Sequence, residues 1–165
     1  MNILLIIIVA TFVKTELIIS STAFQNNGMI PSKYTCEGAN INPPLKISGI
    51  PANAKSVAII VDDPDAPKGT FDHWVTWNIK PAETIAENSA AGTAGKNGMG
   101  KDGYTGPCPP SGTHHYHFKV YALDQVLDLR EGADKKALED VMKDHIVAYG
   151  ELIGLYEKKN KTDNK

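Results

Sequence analysis

The punctuation of this chain limits its fold more than any other feature. From Thr15 to Asp128 the apolar runs are short and are broken by Pro, Gly and Asn. Runs of that length between turn residues suit strands, not helices, so an all-β domain is expected here. Ser56 to Asp62 (SVAIIVD) is apolar at odd and even positions alike, so both its faces should be covered, as in a central strand. Trp74 to Ile79 and His115 to Leu123 are rich in aromatic and β-branched residues and read as further strands. With 165 residues, 42% of them hydrophobic, the chain has material for one domain with a sizeable core.

The period changes near the end. From Asp134 onward, Leu138, Met142, His145, Tyr149, Leu152 and Tyr156 fall on one helical stripe that Gly150 and Gly154 weaken. Two short helices with a break near Asp144 are predicted, with His145 a hydrogen-bonded interior residue. At the other end, Ile3 to Val13 is interrupted only by Thr11, too short to cross a bilayer and the length of a signal h-region. Ser21-x-Ala23 and Val13-x-Thr15 both offer cleavage sites. The expected division is a hydrophobic leader over 1–15, a domain over 16–158 and a polar tail over 159–165, in a secreted or periplasmic protein more readily than a cytoplasmic one. The sequon Asn160-Lys161-Thr162 lies in that tail.

Charge and cysteine content exclude several function classes. Lys plus Arg is 17 against 19 Asp plus Glu, a net charge of −2, which argues against a nucleic-acid coat. Cys36 and Cys108 are too far apart for a C-x-x-C motif, and spacing leaves open whether they pair. Gly95-Lys96 is no phosphate loop, because Asn97 stands where Ser or Thr is needed. The glycine-rich stretch 88–106 is long enough to suggest a functional loop. His115 and His117 project together without a third ligand, so no metal is expected.

Two segments concentrate polar residues at strand ends. One is Val61-Asp62-Asp63-Pro64-Asp65-Ala66-Pro67 with His73-Trp74 after it; the other is GPCPPSGTHHY, Gly106 to Tyr116. Side chains alternate along a strand. By that rule Asp63 continues the face of Val57, Ile59 and Val61, and His73 that of Val75, Trp77 and Ile79. His114 and Tyr116 continue the face of Phe118 and Val120. Polar groups on inward faces need partners, so neighbouring strand ends would gather them into a small pocket at the rim of the core. The prolines restrict the Asp63–Pro67 turn. His115, His117, Lys119 and Tyr121 face the other way, toward a second copy of the chain or a helix of its own.

These segments resemble the phosphatidylethanolamine-binding protein family, in its bacterial and archaeal Raf-kinase-inhibitor-like branch. The residues that carry the resemblance are VDDPDAP (61–67), HW (73–74) and GPCPPSGTHHYHFKVYALD (106–124). IPSKYTCEGANINPP (30–44) and ISGIP (47–51) support it, over about Leu17 to Tyr156. The resemblance implies a mainly-β sandwich of two antiparallel sheets with short helices near the C-terminus. It also implies a small pocket for phosphate, a phospholipid headgroup or a carboxylate. On matching positions the ligand-binding residues are Asp63, Asp65, His73, Gly106, Pro110, His114 and Tyr116. Two departures are evident: His115 stands where the family usually has Arg, and Asn97-Gly98-Met99-Gly100 replaces Asn-Asp-Phe-Gly, which removes an aromatic near the mouth.

The residue types favour binding over turnover. Histidines donate hydrogen bonds to an anion, a neighbouring carboxylate orients them, and main-chain amides around Gly106 are expected to complete the cradle. No cofactor and no catalytic residue are expected. A hydrolase using Ser111 or Thr113 is the weaker alternative, and an inhibitory module for a protease or kinase partner is another. Neither motif contains Arg, so the attracting charge should come from histidine, and anion binding should tighten toward acid pH.

Overall fold

The computed structural model describes residues 15–159. The leader expected over 1–15, the tail expected over 159–165 and the Asn160 sequon lie outside these residues, apart from Thr15 and Lys159. Ten strands are formed: β1 (Thr15–Glu16), β2 (Ile18–Ser20), β3 (Gly28–Met29), β4 (Leu45–Ser48), β5 (Ser56–Asp63), β6 (Phe71–Ile79), β7 (Thr84–Ile85), β8 (Thr93–Ala94), β9 (Thr113–Leu123) and β10 (Ile146–Glu157). Among the described residues one α-helix, α1 (Lys135–Met142), precedes β10, and a short 3-10 turn spans Ser32–Tyr34.

The larger sheet runs β1-β10-β9-β5-β6-β8, and β3 also pairs with β10. Its body is antiparallel, while β1 and β3 add to β10 in parallel. The smaller sheet, β2-β4-β7, is antiparallel. Between the sheets lies the main core, where Leu45 and Ile47 meet Val57, Ile59, Phe118 and Val120. The opposite face of the larger sheet buries Ala58, Ile60, Val75 and Trp77 beneath Leu138 and Met142 of α1. β5 is therefore buried at every position, as its unbroken apolar run predicted. Each large side chain so buried stabilises the fold by roughly 1.5–3 kcal/mol.

The C-terminal stretch corrects the sequence reading. α1 begins as expected, with the Asp134 carboxylate accepting from Ala137 N–H at 2.8 Å, but it ends at Met142. The second predicted helix is instead the long strand β10, paired with β9 from Ile146↔Leu123 to Glu157↔Thr113. Its buried face is Ala148, Gly150, Leu152, Gly154 and Tyr156, a period of two. Two of those positions are glycine and carry no hydropathy signal, while the partly exposed Ile153 and Leu155 are apolar, so the alternation is masked. The glycines answer to packing: a Cβ on Gly150 would lie 2.2 Å from the Leu17 carbonyl oxygen, and one on Gly154 2.6 Å from the Ile30 side chain. His145 hydrogen-bonds Asp124 at 3.0 Å and is partly exposed, not interior.

Candidate functional site

β5 ends, and β6 and β9 begin, at the same edge of the larger sheet. Asp63 pairs with Phe71 across β5 and β6, and Asp62 with His117 across β5 and β9. This brings Asp63, His73 and His114 around one pocket of about 200 Å³. A volume below the roughly 300–1,000 Å³ of drug-sized sites suits a small ligand.

His73 arrives there by a route that simple alternation does not give. Val75 and Trp77 belong to the cluster under α1, on the far side of the sheet, whereas Trp74 belongs to the main core. The register slips between Val61↔Trp74 and Asp62↔Asp72, leaving His73 as the extra residue of a β-bulge. Bulges re-aim side chains in this way, and this one puts His73 and Trp74 on the same side. Behind the bulge, Asp62 and Asp72 sit opposite each other and Lys135 of α1 bridges them at 2.5 and 3.2 Å, with Lys119 2.9 Å from Asp62. Burial alone would raise the Asp62 carboxyl; the two lysines outweigh it and hold the group below its ordinary value.

Each pocket histidine is fixed through Nδ1. His114 Nδ1 lies 2.7 Å from Asp63 Oδ2, and His73 Nδ1 lies 2.8 Å from the Thr105 carbonyl oxygen. The second Asp63 oxygen accepts from Asp65 N–H at 2.8 Å, which locks the carboxylate in the turn. Tyr116 packs against both rings, edge-on to His73 with centroids 5.1 Å apart and parallel to His114 with centroids 6.5 Å apart. Its hydroxyl is buried and without a hydrogen-bond partner. Burial, then the charges of Asp63 and Asp65, push its pKa up, so it remains a donor in need of an acceptor. Burial likewise lowers the pKa of His73, against the pull of Thr105, Asp63, Asp72 and Asp62.

The sequence-predicted residues divide by role. Asp63, His73, Gly106, Pro110 and His114 line the pocket; Tyr116 does not, being fully buried against the rings of His73 and His114. Asp65 does not line it: its carboxylate is turned to His115, accepting from the main-chain N–H at 2.8 Å and from Nδ1 at 2.7 Å. The side-chain bond from His115 is the chief reason its pKa is lowered. Of the main-chain amides expected around Gly106, that of Gly106 itself is engaged, its N–H held by Asn40 Oδ1 at 2.7 Å. The residue is glycine because a Cβ there would lie 2.5 Å from the Tyr34 carbonyl oxygen.

Of the further lining residues, Phe71 escaped the sequence reading, while Met99 and Cys108 belong to segments that it had placed at the mouth and edge. Phe71 stacks edge-on against His73, 4.8 Å between centroids, and Met99 stands at the mouth, largely exposed. The buried Asn97 places Met99: its Oδ1 accepts from Met99 and Lys101 N–H, and its Nδ2 donates to Gly103 O. Cys108 also lines the pocket and is disulfide-bonded to Cys36, which ties this wall to the loop after Tyr34. His117 bonds Glu151 at 2.8 Å and His115 bonds Asp65, so the two do not converge on a metal. Thr113 donates to Glu157, and no hydroxyl meets His73 or His114 among the described residues.

The comparisons agree with one another. A family model described as phosphatidylethanolamine-binding protein matches residues 20–157. A UPF0098 protein of Pyrococcus horikoshii is 55% identical over 150 residues, covering 84% of this chain and 76% of its own. A UPF0098 protein of Pyrococcus abyssi is 54% identical, with 87% of each chain covered. Among solved structures, a phosphatidylethanolamine-binding protein homologue from Chlamydia trachomatis superposes with a TM-score of 0.84 at 42% identity, over 87% of this chain and 99% of that one. Escherichia coli YbcL superposes with a TM-score of 0.79 at 27% identity, over 89% and 100%.

Proposed function

The chain belongs to the phosphatidylethanolamine-binding protein family, and from that premise we propose that it is a non-catalytic receptor for a small anion. The ligand class is phosphate, a phosphate-bearing headgroup or a carboxylate. The observation that carries the reading is the pair of buried histidines that line one small pocket, both anchored through Nδ1, with Tyr116, whose hydroxyl is unpartnered, packed against both rings. His114, held by the Asp63 carboxylate through Nδ1, is oriented to donate from Nε2 in its charged form, and a charged donor binds an oxyanion more strongly than a neutral one. The apolar walls, Phe71, Met99, Pro67, Pro109 and Pro110, keep water from competing.

The test is thermal. Ligand that binds only the native state raises the melting temperature by mass action, so phosphate or phosphorylethanolamine should raise it. His114→Ala is a poor control, because it leaves Asp63 buried and unpaired. His114→Asn keeps a donor near the Nδ1 position and removes Nε2; it should fold and lose the rise. An equal rise in both proteins overturns the reading. The proposal includes a homodimer through the face that carries His115 and His117.

A further inference from the structure

The two histidines offer the pocket different hydrogen-bonding faces. The Thr105 carbonyl can only accept, so His73 Nδ1, 2.8 Å away, bears the ring hydrogen. In the neutral ring Nε2 then bears a lone pair. The ring is 5% exposed, and burial holds its pKa below the ordinary value, so it is neutral at neutral pH. His73 therefore meets a ligand as an acceptor.

The rest of the wall is short of donors. Pro67, Pro109 and Pro110 have no N–H, the Gly106 N–H is held by Asn40, and no Lys or Arg lines the pocket. Among side chains, what remains is Thr105 Oγ1, turned toward Met99 Sδ, and His114 Nε2 when that ring is charged beside Asp63, with the unpartnered hydroxyl of Tyr116 behind the two imidazoles; on the main chain, the N–H groups of Ala66 and Cys108 donate to no other residue among those described. A fully deprotonated oxyanion would press an oxygen lone pair against that of His73, a repulsion that low dielectric amplifies. A ligand bearing its own acidic hydrogen converts the same contact into a hydrogen bond.

We propose that the pocket selects an anion that keeps one proton, the monoanion of phosphate or of a phosphomonoester, with His73 Nε2 accepting the P–OH hydrogen. Sulfate, and phosphodiesters such as the linkage in an intact phospholipid, are disfavoured because they lack that hydrogen. This rests on the anion-site reading and narrows it. The charges facing His73 are Asp63 on β5, Asp72 on its own strand and Asp62 behind it, the last two already held by Lys135 and Lys119. Asp65 is bound to His115, and Tyr116 on β9 stays neutral. As pH falls and His73 gains a proton, Nε2 becomes a donor; sulfate then gains affinity and the selection narrows.

The experiment is calorimetric titration at pH 6.5 with inorganic phosphate, phosphorylethanolamine, glycerophosphoethanolamine and sulfate. A phosphomonoester's second pKa of about 6 keeps the monoanion available there. Phosphate and phosphorylethanolamine should bind at least about tenfold more tightly than the other two, since a site built to hydrogen-bond an OH rejects analogues without it. His73→Gln places an N–H donor near the Nε2 position, and the phosphate-to-sulfate ratio should fall to about unity within that one protein. Equal affinity for phosphate and sulfate in the unmodified protein overturns this inference and leaves the anion site standing. A tenfold preference that survives His73→Gln overturns it as well. Absence of binding by all four ligands overturns both.

Discussion

His73 carries the clearest pH signature of any single residue. Its folded-state pKa is lowered by burial, so below the unfolded value of about 6.5 the unfolded chain holds a proton that the folded protein lacks. Stability from this residue is present above that pH and is lost as pH falls through it. Urea midpoints at pH 7.5 and 5.5 should drop with acid in the unmodified protein and drop less in His73→Gln. Identical drops would remove His73 as the cause. Asp63 and His114 form a different kind of pair, with side chains 5% and 9% exposed. Removing one partner from a buried pair costs about 3–5 kcal/mol. Chemical denaturation should therefore find His114→Ala less stable than His114→Asn, and equal stabilities would contradict the pairing.

At the scale of elements, strand β9 shows how much of the site was legible. His114, Tyr116, Phe118 and Val120 alternate inward as the sequence implied, because an antiparallel strand without a bulge obeys its period. β5 was legible for the related reason that a strand covered on both faces is apolar throughout. β6 was not: its bulge at His73 changes the facing of half the strand, and nothing in the residue types marks it. His73 was thus found for the pocket while Val75 and Trp77 were assigned to the wrong face. β10 was missed because glycines at its points of closest packing erase the pattern. Gly150→Ala should accordingly destabilise by roughly 1–3 kcal/mol, as overpacking does, whereas a helix there would gain stability from alanine. The Cys36–Cys108 disulfide closes a wide loop at the pocket wall. Replacing both by serine should cost about 2–4 kcal/mol, and phosphate affinity should fall as that wall loosens. Unchanged affinity would show that the wall is held by the Gly106–Asn40 and Cys36–Pro107 hydrogen bonds alone.

For the whole molecule, the two sheets and α1 form three layers whose only task at the β5–β6–β9 edge is to hold a few polar groups still. The outward face beyond β9 is partly satisfied within the chain: Tyr121 meets Tyr149 at 5.1 Å, and α1 covers the sheet beside them. The strip of His115 and Glu157 stays exposed. Light scattering at high micromolar concentration should give twice 17.9 kDa if that strip joins two copies, and 17.9 kDa would exclude the dimer. The central claim concerns the pocket and not the assembly. Backbone NMR of the isotopically labelled protein, titrated with phosphate, reads it most directly. Saturable shifts should concentrate at His73, Thr105, Gly106 and His114 and vanish in His114→Asn. Shifts that map elsewhere, or none at millimolar phosphate, would contradict the account.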